Sequence, residues 1–232
     1  MRNRIIAVIP CYNVDKFCEN VVREVLPLVS HIIAIDDGSI DATGKILSKI
    51  AKQHSQKMKV IPFPQNQGKG FALLEGIQYA LKHFDFDTLV TFDGDGQHSA
   101  PFLTSLAQSI ESGADMAIGA RTFKKMPPRN RFGNFITALL IHLAYPKAPH
   151  DTQSGMRAFS KDFASEIVNR IPGGHYEMEF KCLLLALRQK RKIEEIPIPT
   201  IYIDKNRSSH FRRWKDSIMV LKTLFMHLLG QA

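Results

Sequence analysis

Leu89-Val90-Thr91-Phe92-Asp93-Gly94-Asp95-Gly96-Gln97-His98 runs from a largely apolar stretch straight into two carboxylates one residue apart. The first four residues read as a strand that enters the interior and ends where the carboxylates begin. In an extended or turning backbone, Asp93 and Asp95 project to the same side, because side chains alternate with period two. Gly94 and Gly96 let the chain turn sharply and let a ligand come close to the backbone. Two hard oxygen ligands with open space around them suit Mg2+ or Mn2+ that takes further oxygens from a phosphate. A polar turn at a strand end, with no ligand, uses the same residues. The surroundings decide between the two.

Outward from this stretch, short apolar runs alternate with longer amphipathic ones. Strands are expected at Ile5–Ile9, His31–Ile35, Lys59–Pro62, Thr88–Phe92 and Asp115–Gly119. Helices are expected at Val14–Leu28, Ala42–Lys52, Gly70–His83 and Pro101–Ser112. Such a rhythm predicts an α/β fold, a mostly parallel, Rossmann-like central sheet flanked by helices. The strands end in Pro10-Cys11-Tyr12-Asn13, Asp36-Asp37-Gly38-Ser39 and Asp93-Gly94-Asp95, which should line up along one sheet edge. Open α/β sheets bind ligands at that edge.

After residue 120 the rhythm breaks. Lys124 to Arg131 is basic and contains prolines, which suggests a loop. Phe132–Tyr145 reads as a broadly apolar helix too short to span a bilayer. Trp214, Ile218, Leu221, Phe225 and Leu228 recur at helical spacing and form one apolar face. That helix either caps the core or lies in lipid headgroups. The expected division is a catalytic domain over 1–211 and an amphipathic helix over 212–232.

The net charge of +9 is unevenly spread. Residues 1–119 carry 11 Lys and Arg against 13 Asp and Glu, and residues 120–232 carry 20 against 9. The basic half suggests an anionic partner: a phosphorylated substrate, an anionic membrane surface or nucleic acid. Nucleic acid is not expected, because no aromatic single-strand platform and no RNA-binding motif accompanies the charge. Three cysteines, Cys11, Cys18 and Cys182, have no metal-ligand spacing and read as buried or free thiols of a reducing compartment. Five apolar residues after Met-Arg-Asn-Arg do not make a secretory leader, and no window reaches the ~18 apolar residues of a membrane span. The chain is expected to be cytoplasmic, soluble or peripheral on the inner face of a membrane.

Two further segments carry chemistry. Asp36 and Asp37 at a strand end can accept hydrogen bonds from a base N–H and a ribose hydroxyl, while Asp41 and Thr43 read as helix N-capping residues. In Asn66-Gln67-Gly68-Lys69-Gly70 a lysine stands between glycines before a helix, where it can reach a phosphate. The spacing is not that of a P-loop.

Together, Ile9-Pro10-Cys11-Tyr12-Asn13, Asp36-Asp37-Gly38-Ser39, Gly68-Lys69-Gly70 and Asp93-Gly94-Asp95-Gly96-Gln97-His98 resemble family 2 glycosyltransferases of the GT-A fold. The resemblance implies that Pro10, Tyr12, Asn13, Asp36, Asp37, Lys69, Asp93 and Gly94 hold a nucleotide-sugar donor. It places Asp93, Asp95 and Gln97 around Mg2+ or Mn2+ on the diphosphate. Val14 stands where the family usually has Glu. The second half resembles the dolichyl-phosphate mannose synthase-like and polyprenyl-phosphate hexosyltransferase branch. There Gly119-Ala120-Arg121, Arg131, Asp151-Thr152-Gln153-Ser154-Gly155-Met156-Arg157, Tyr176-Glu177-Met178-Glu179 and Ile196-Pro197-Ile198 follow in the expected order. Arg207-Ser208-Ser209-His210-Phe211 matches loosely, with no glycine and with His210 near a lysine position.

The implied reaction moves a hexose, with inversion, from a GDP-mannose or UDP-glucose type donor to a lipid-phosphate acceptor. Asp95, Asp151, Arg121, Arg131 and Arg207 are the candidate catalytic residues. A sugar hydroxyl as acceptor requires a carboxylate to take its proton, with Asp151 the candidate and Glu177 or Glu179 behind it. A lipid phosphate is already ionised and requires cations instead, which the basic second half supplies.

Overall fold

A computed structural model describes residues 4–121, 139, 141–146, 148–174, 177–199, 223 and 225. The elements run β1 (Ile5–Cys11), α1 (Cys18–Val25), β2 (His31–Asp36), α2 (Thr43–Gln53), β3 (Met58–Pro62), α3 (Lys69–His83), β4 (Thr88–Thr91), α4 (Phe102–Glu111) and β5 (Met116–Arg121). There follow β6 (Arg157–Ser160), α5 (Lys161–Arg170), α6 (Glu177–Arg188) and β7 (Ile193–Ile198). The strands form one sheet in the order β3-β2-β1-β4-β6-β5-β7. Pairings are parallel except for those of β6, which runs against both β4 and β5. The expected strands and helices of the first 119 residues are all present.

Strand alternation divides the core into two layers. Ile5, Ala7 and Ile9 of β1, with Ile32 and Ala34 of β2, face a layer built from Val21 and Val25 of α1, Leu47 of α2 and Leu103 and Leu106 of α4. Ile6 and Val8, with Ile33 and Ile35, face Leu73 and Ile77 of α3, Phe163 of α5 and Leu183 of α6. Burial on both faces is why these strands read as unbroken apolar runs. Cys11, Cys18 and Cys182 are buried free thiols. Burial raises the pKa of all three, to about 11 at Cys18 and about 12 at Cys182.

After residue 120 the sequence pattern yields no strands, and the structure adds β6, α5, α6 and β7, which complete the sheet and its second layer. One expectation is corrected. The first helix spans Cys18–Val25 rather than Val14–Leu28, because Asn13 takes φ 51° and Val14–Phe17 form a separate turn in which the Phe17 N–H donates to the Val14 carbonyl. Of the expected Phe132–Tyr145 helix, Leu139 and residues 141–144 are described and helical. The loop from Lys124 to Arg131, and nearly all of 212–232 with Trp214, Ile218, Leu221 and Leu228, lie outside the described residues. No helix among the described residues is long and apolar enough to cross a membrane.

The seat of α3 on the sheet requires Gly76, where a Cβ would stand 2.3 Å from Val8 Cγ1. Val8 is held by pairing on both sides, so it cannot retreat. Gly76→Val is therefore expected to lower the unfolding free energy by roughly 2–3 kcal/mol, the range of an overpacked core. Urea denaturation measures this.

Candidate functional site

Parallel pairing brings the carboxyl ends of β1, β2 and β4 to one edge, where Cys11, Asp36 and Thr91 each open a loop, and β5, parallel to them across β6, ends at the same edge with Arg121. Because β6 runs the other way, its amino end meets the same edge: Arg157 pairs with Thr91 on one side and Ile118 on the other. The loop 151–156 is thereby laid beside Asp93. Thr91 Oγ1 donates to the Gly155 carbonyl at 2.9 Å. A Cβ on Gly155 would stand 2.5 Å from Asp93 Oδ2 and 2.8 Å from Lys69 Nζ. Glycine is needed because these charged groups occupy the space.

Asp93 lies between a lysine and a histidine. Lys69 Nζ is 2.7 Å from its Oδ1, and His98 Nε2 is 3.2 Å from its Oδ2. Lys69 reaches a second carboxylate, Glu179 Oε1, at 3.1 Å. Burial opposes ionisation of Asp93, but Lys69 and His98 overcome it and hold the carboxyl well below the usual range. Asp95 has the opposite environment: burial and then the Asp93 charge push its pKa up. Asp95 Oδ1 accepts the Gln97 N–H at 3.0 Å, which closes the turn. Gly94 fits where a Cβ would meet Cys11 Sγ at 2.9 Å and the Pro10 carbonyl at 3.1 Å.

Two crowded carboxylates, one of them disfavoured as an anion, have the charge and hardness for Mg2+ or Mn2+. No trio of His, Cys, Asp or Glu side chains among the described residues is placed to enclose a metal ion. Donor-phosphate oxygens or water would complete the shell, as suits a metal carried with a diphosphate. The residues fit that group.

The β1 and β2 loops are tied to each other. The Ile40 N–H donates to Asn13 Oδ1 at 2.9 Å, and the Asn13 N–H donates to Ser39 Oγ at 3.1 Å. Asp36 Oδ1 accepts the Ser39 N–H at 3.1 Å. Asp37 is buried, and its carboxylate accepts the Gln67 N–H at 2.7 Å, the Gly68 N–H at 3.0 Å and the Asn66 amide at 2.9 Å. Its contacts thus set the loop that delivers Lys69 at the start of α3. Asp41 Oδ1 accepts the Thr43 N–H at 2.9 Å at the start of α2, whereas Thr43 Oγ1 accepts the Val14 N–H at 2.9 Å. Pro10 and Tyr12 are half-buried at the same edge.

Arg121 ends β5 and pairs with Asp151. Its Nε and Nη2 donate to the two carboxylate oxygens at 2.7 and 3.0 Å, and its backbone N–H adds a third bond at 3.0 Å. The Gln153 N–H donates to Asp151 Oδ1 at 3.2 Å, and Asp151 is 1% exposed. Burial opposes its charge, and Arg121 overturns that, holding the carboxyl below its ordinary value. Glu195 of β7 secures the loop from behind, accepting the N–H groups of His150 and Asp151 at 2.7 and 3.1 Å.

His98, Gly155 and Arg157 have parts in the site that no sequence pattern announces, and Glu179 stands beside Lys69 rather than behind Asp151 as expected. Arg157 is fully buried and donates to the carbonyls of Ser154 at 2.7 Å, Thr152 at 3.0 Å and Glu179. Arg131, Tyr176 and Arg207 lie outside the described residues. The structure brings together Asp93, Asp95 and Lys69, and separately Arg121 with Asp151.

Two expectations can be measured. Because the Asp151 carboxyl is depressed in the folded state, its contribution is complete above the unfolded value of about 4 and is lost as pH falls through the lower folded value. Asp151→Asn should therefore cost about 2 kcal/mol at pH 7, with the gap to the unsubstituted protein closing below about pH 4. Because Asp95 is strained as an anion, Asp95→Asn should raise the melting temperature by a few degrees in EDTA. Mn2+ should then stabilise only the unsubstituted protein.

The profile of glycosyl transferase family 2 matches residues 6–168. The UDP-N-acetylglucosamine–dolichyl-phosphate N-acetylglucosaminyltransferase of Methanococcus voltae is 33% identical over 221 residues, covering 86% of this chain and 86% of the relative. The polyprenol monophosphomannose synthase of Mycolicibacterium smegmatis is 27% identical over 219 residues, covering 84% and 76%. Among solved structures, glucosyl-3-phosphoglycerate synthase of Mycobacterium tuberculosis, crystallised with Mn2+, UDP and phosphoglyceric acid, matches with a TM-score of 0.69 at 19% identity, over 99% of this chain and 78% of that one. The shared architecture is the GT-A fold. A sheet edge that gathers paired carboxylates and a lysine, and a sequence profile covering most of the chain, lead to one assignment: this glycosyltransferase belongs to glycosyl transferase family 2.

Proposed function

We propose that the chain transfers a sugar, with inversion, from a nucleotide-sugar donor to the phosphate of a membrane polyprenol or dolichol. The observation that carries the reading is the state of Asp151. Its carboxylate is buried, ionised and committed to Arg121 through both oxygens. A base for a hydroxyl acceptor needs a free lone pair beside the incoming proton. A phosphate acceptor is already an anion, and its requirement is a fixed cation. Arg121, aligned by Asp151, supplies one, and Arg131 and Arg207 are proposed to supply others. Two of the relatives above are named for dolichyl or polyprenol phosphate acceptors.

On the donor side, Asp93 and Asp95 would hold Mg2+ or Mn2+ with Gln97 beside them, and Pro10, Tyr12, Asn13, Asp36 and Asp37 would frame the nucleoside. The cation, when bound, would neutralise charge gathering on the departing nucleoside diphosphate. Lys69 would contribute a second positive charge to the same phosphates. Gly94 keeps the backbone thin at that point. The acceptor phosphate would approach the anomeric carbon from the face opposite the diphosphate, which inverts its configuration.

Peripheral contact with a membrane, on its cytoplasmic side, belongs to the same proposal. Leu139 and Leu143 stand one helical turn apart with 48% and 74% exposure, and Phe225 is 65% exposed. Apolar side chains of this kind suit the headgroup boundary, and each Lys or Arg near an anionic leaflet adds about 1 kcal/mol.

Radiolabelled GDP-mannose, UDP-glucose and UDP-N-acetylglucosamine, each offered with Mn2+ and a short polyprenyl phosphate, test the reading. Label is expected in butanol-extractable lipid from one of the donors, to be lost on EDTA treatment and to fall by at least about a hundredfold in Asp95→Asn. Donor hydrolysis or binding without lipid label would sink the lipid-phosphate acceptor.

A further inference from the structure

Lys69 is one ammonium shared by two carboxylates, and the partner remote from the paired aspartates is Glu179. The three side chains are 16% exposed at Lys69, 22% at Asp93 and 11% at Glu179, so water does little to screen them. Glu179 is fixed independently of the lysine. It lies in the first turn of α6, where a carboxylate is favoured by the helix N-terminus, and its carbonyl is held by Arg157. Gly155 closes the remaining side, since even a methyl group there would meet both Lys69 and Asp93. Lys69 can therefore shift its weight between Asp93 and Glu179, with the Gly155 backbone packed against it.

We propose that Glu179 is a positioning residue that retains Lys69 when a divalent cation engages Asp93. The inference rests on the metal-dependent reading above. A cation on Asp93 and the Lys69 ammonium compete for the same oxygen, and two positive charges in a poorly hydrated site repel strongly. With Glu179 beside it, the ammonium has a second anchor and stays within reach of the diphosphate. Without it, the balance at Lys69 tips toward Asp93, and the ammonium competes more strongly with the cation.

Direct Mn2+ binding, read from the electron paramagnetic resonance signal of the free ion with no nucleotide or substrate present, tests this. The unsubstituted protein is expected to bind Mn2+, and Asp95→Asn to lose it. Glu179→Gln should weaken the Kd about tenfold, and Glu179→Asp should recover part of the loss. In a Lys69→Met background the same Glu179→Gln change should weaken binding by less than about threefold, because the competitor is gone. An unchanged Kd in Glu179→Gln would overturn the proposal. So would equal losses in both backgrounds, since Glu179 would then act only as a nearby negative charge. If the unsubstituted protein bound no Mn2+ that Asp95→Asn removed, the metal reading itself would fall and this inference with it.

Discussion

A buried guanidinium must find acceptors for its donors, and Arg157 finds them in three backbone carbonyls. Those of Ser154 and Thr152 lie in the loop before β6, and that of Glu179 lies in the first turn of α6. One side chain with no exposure to water thus joins a strand, the loop before it and a helix after it. The carbonyls need Arg157 as much as it needs them, because a buried acceptor left empty costs about 1–3 kcal/mol. Much of the second-half side of the site depends on this arrangement, with Glu195 and Thr91 holding the same loop elsewhere. It fixes Gly155 against Asp93, and it sets Glu179 where Lys69 can reach it.

Around that anchor the site sorts charge into two kinds. Arg121 and Asp151 are matched through both carboxylate oxygens. The Asp93, Asp95, Lys69, His98 and Glu179 group has one carboxylate held low by Lys69 and His98 and another pushed up by burial and by the first. A matched pair orients; a mismatched group recruits. The same sheet edge therefore offers one rigid cationic feature and one place where further positive charge is welcome.

Of the first five strands, β1, β2, β4 and β5 were legible because each is a largely apolar, buried run, whereas β3 is a half-buried edge strand that shows itself by the alternation of Met58, Val60 and Ile61 with Lys59 and Pro62. The paired aspartates were legible for the same reason, since they mark the end of β4. The later strands were not. β6 is four residues long and starts with an arginine, and β7 carries Glu194, Glu195 and Pro197. Both signals are those of a surface segment, yet Arg157 is buried by its carbonyl partners, and Pro197 is tolerated at a sheet edge. The link between Lys69 and Glu179 was hidden because it joins α3 to α6 across the sheet's second layer, and no local pattern reports such a meeting. The roles expected of Asp36 and Asp37 came from their place at a strand end. What sequence could not foretell is that Asp37 would spend its oxygens on the loop carrying Lys69.

The placement of β6 has a consequence for how the molecule is made. It lies between β4 and β5 although both precede it in the chain. As synthesis proceeds, β1 to β4 can assemble a four-stranded sheet, but the free side of β4 has no partner until residues 157–160 emerge. β5 joins that sheet only through β6, so it too must wait. An unpaired central strand is a template for the wrong neighbour. The newborn chain therefore passes through an interval in which its most buried strand is an open edge, and the four residues that close it also lay the second half of the site beside the first.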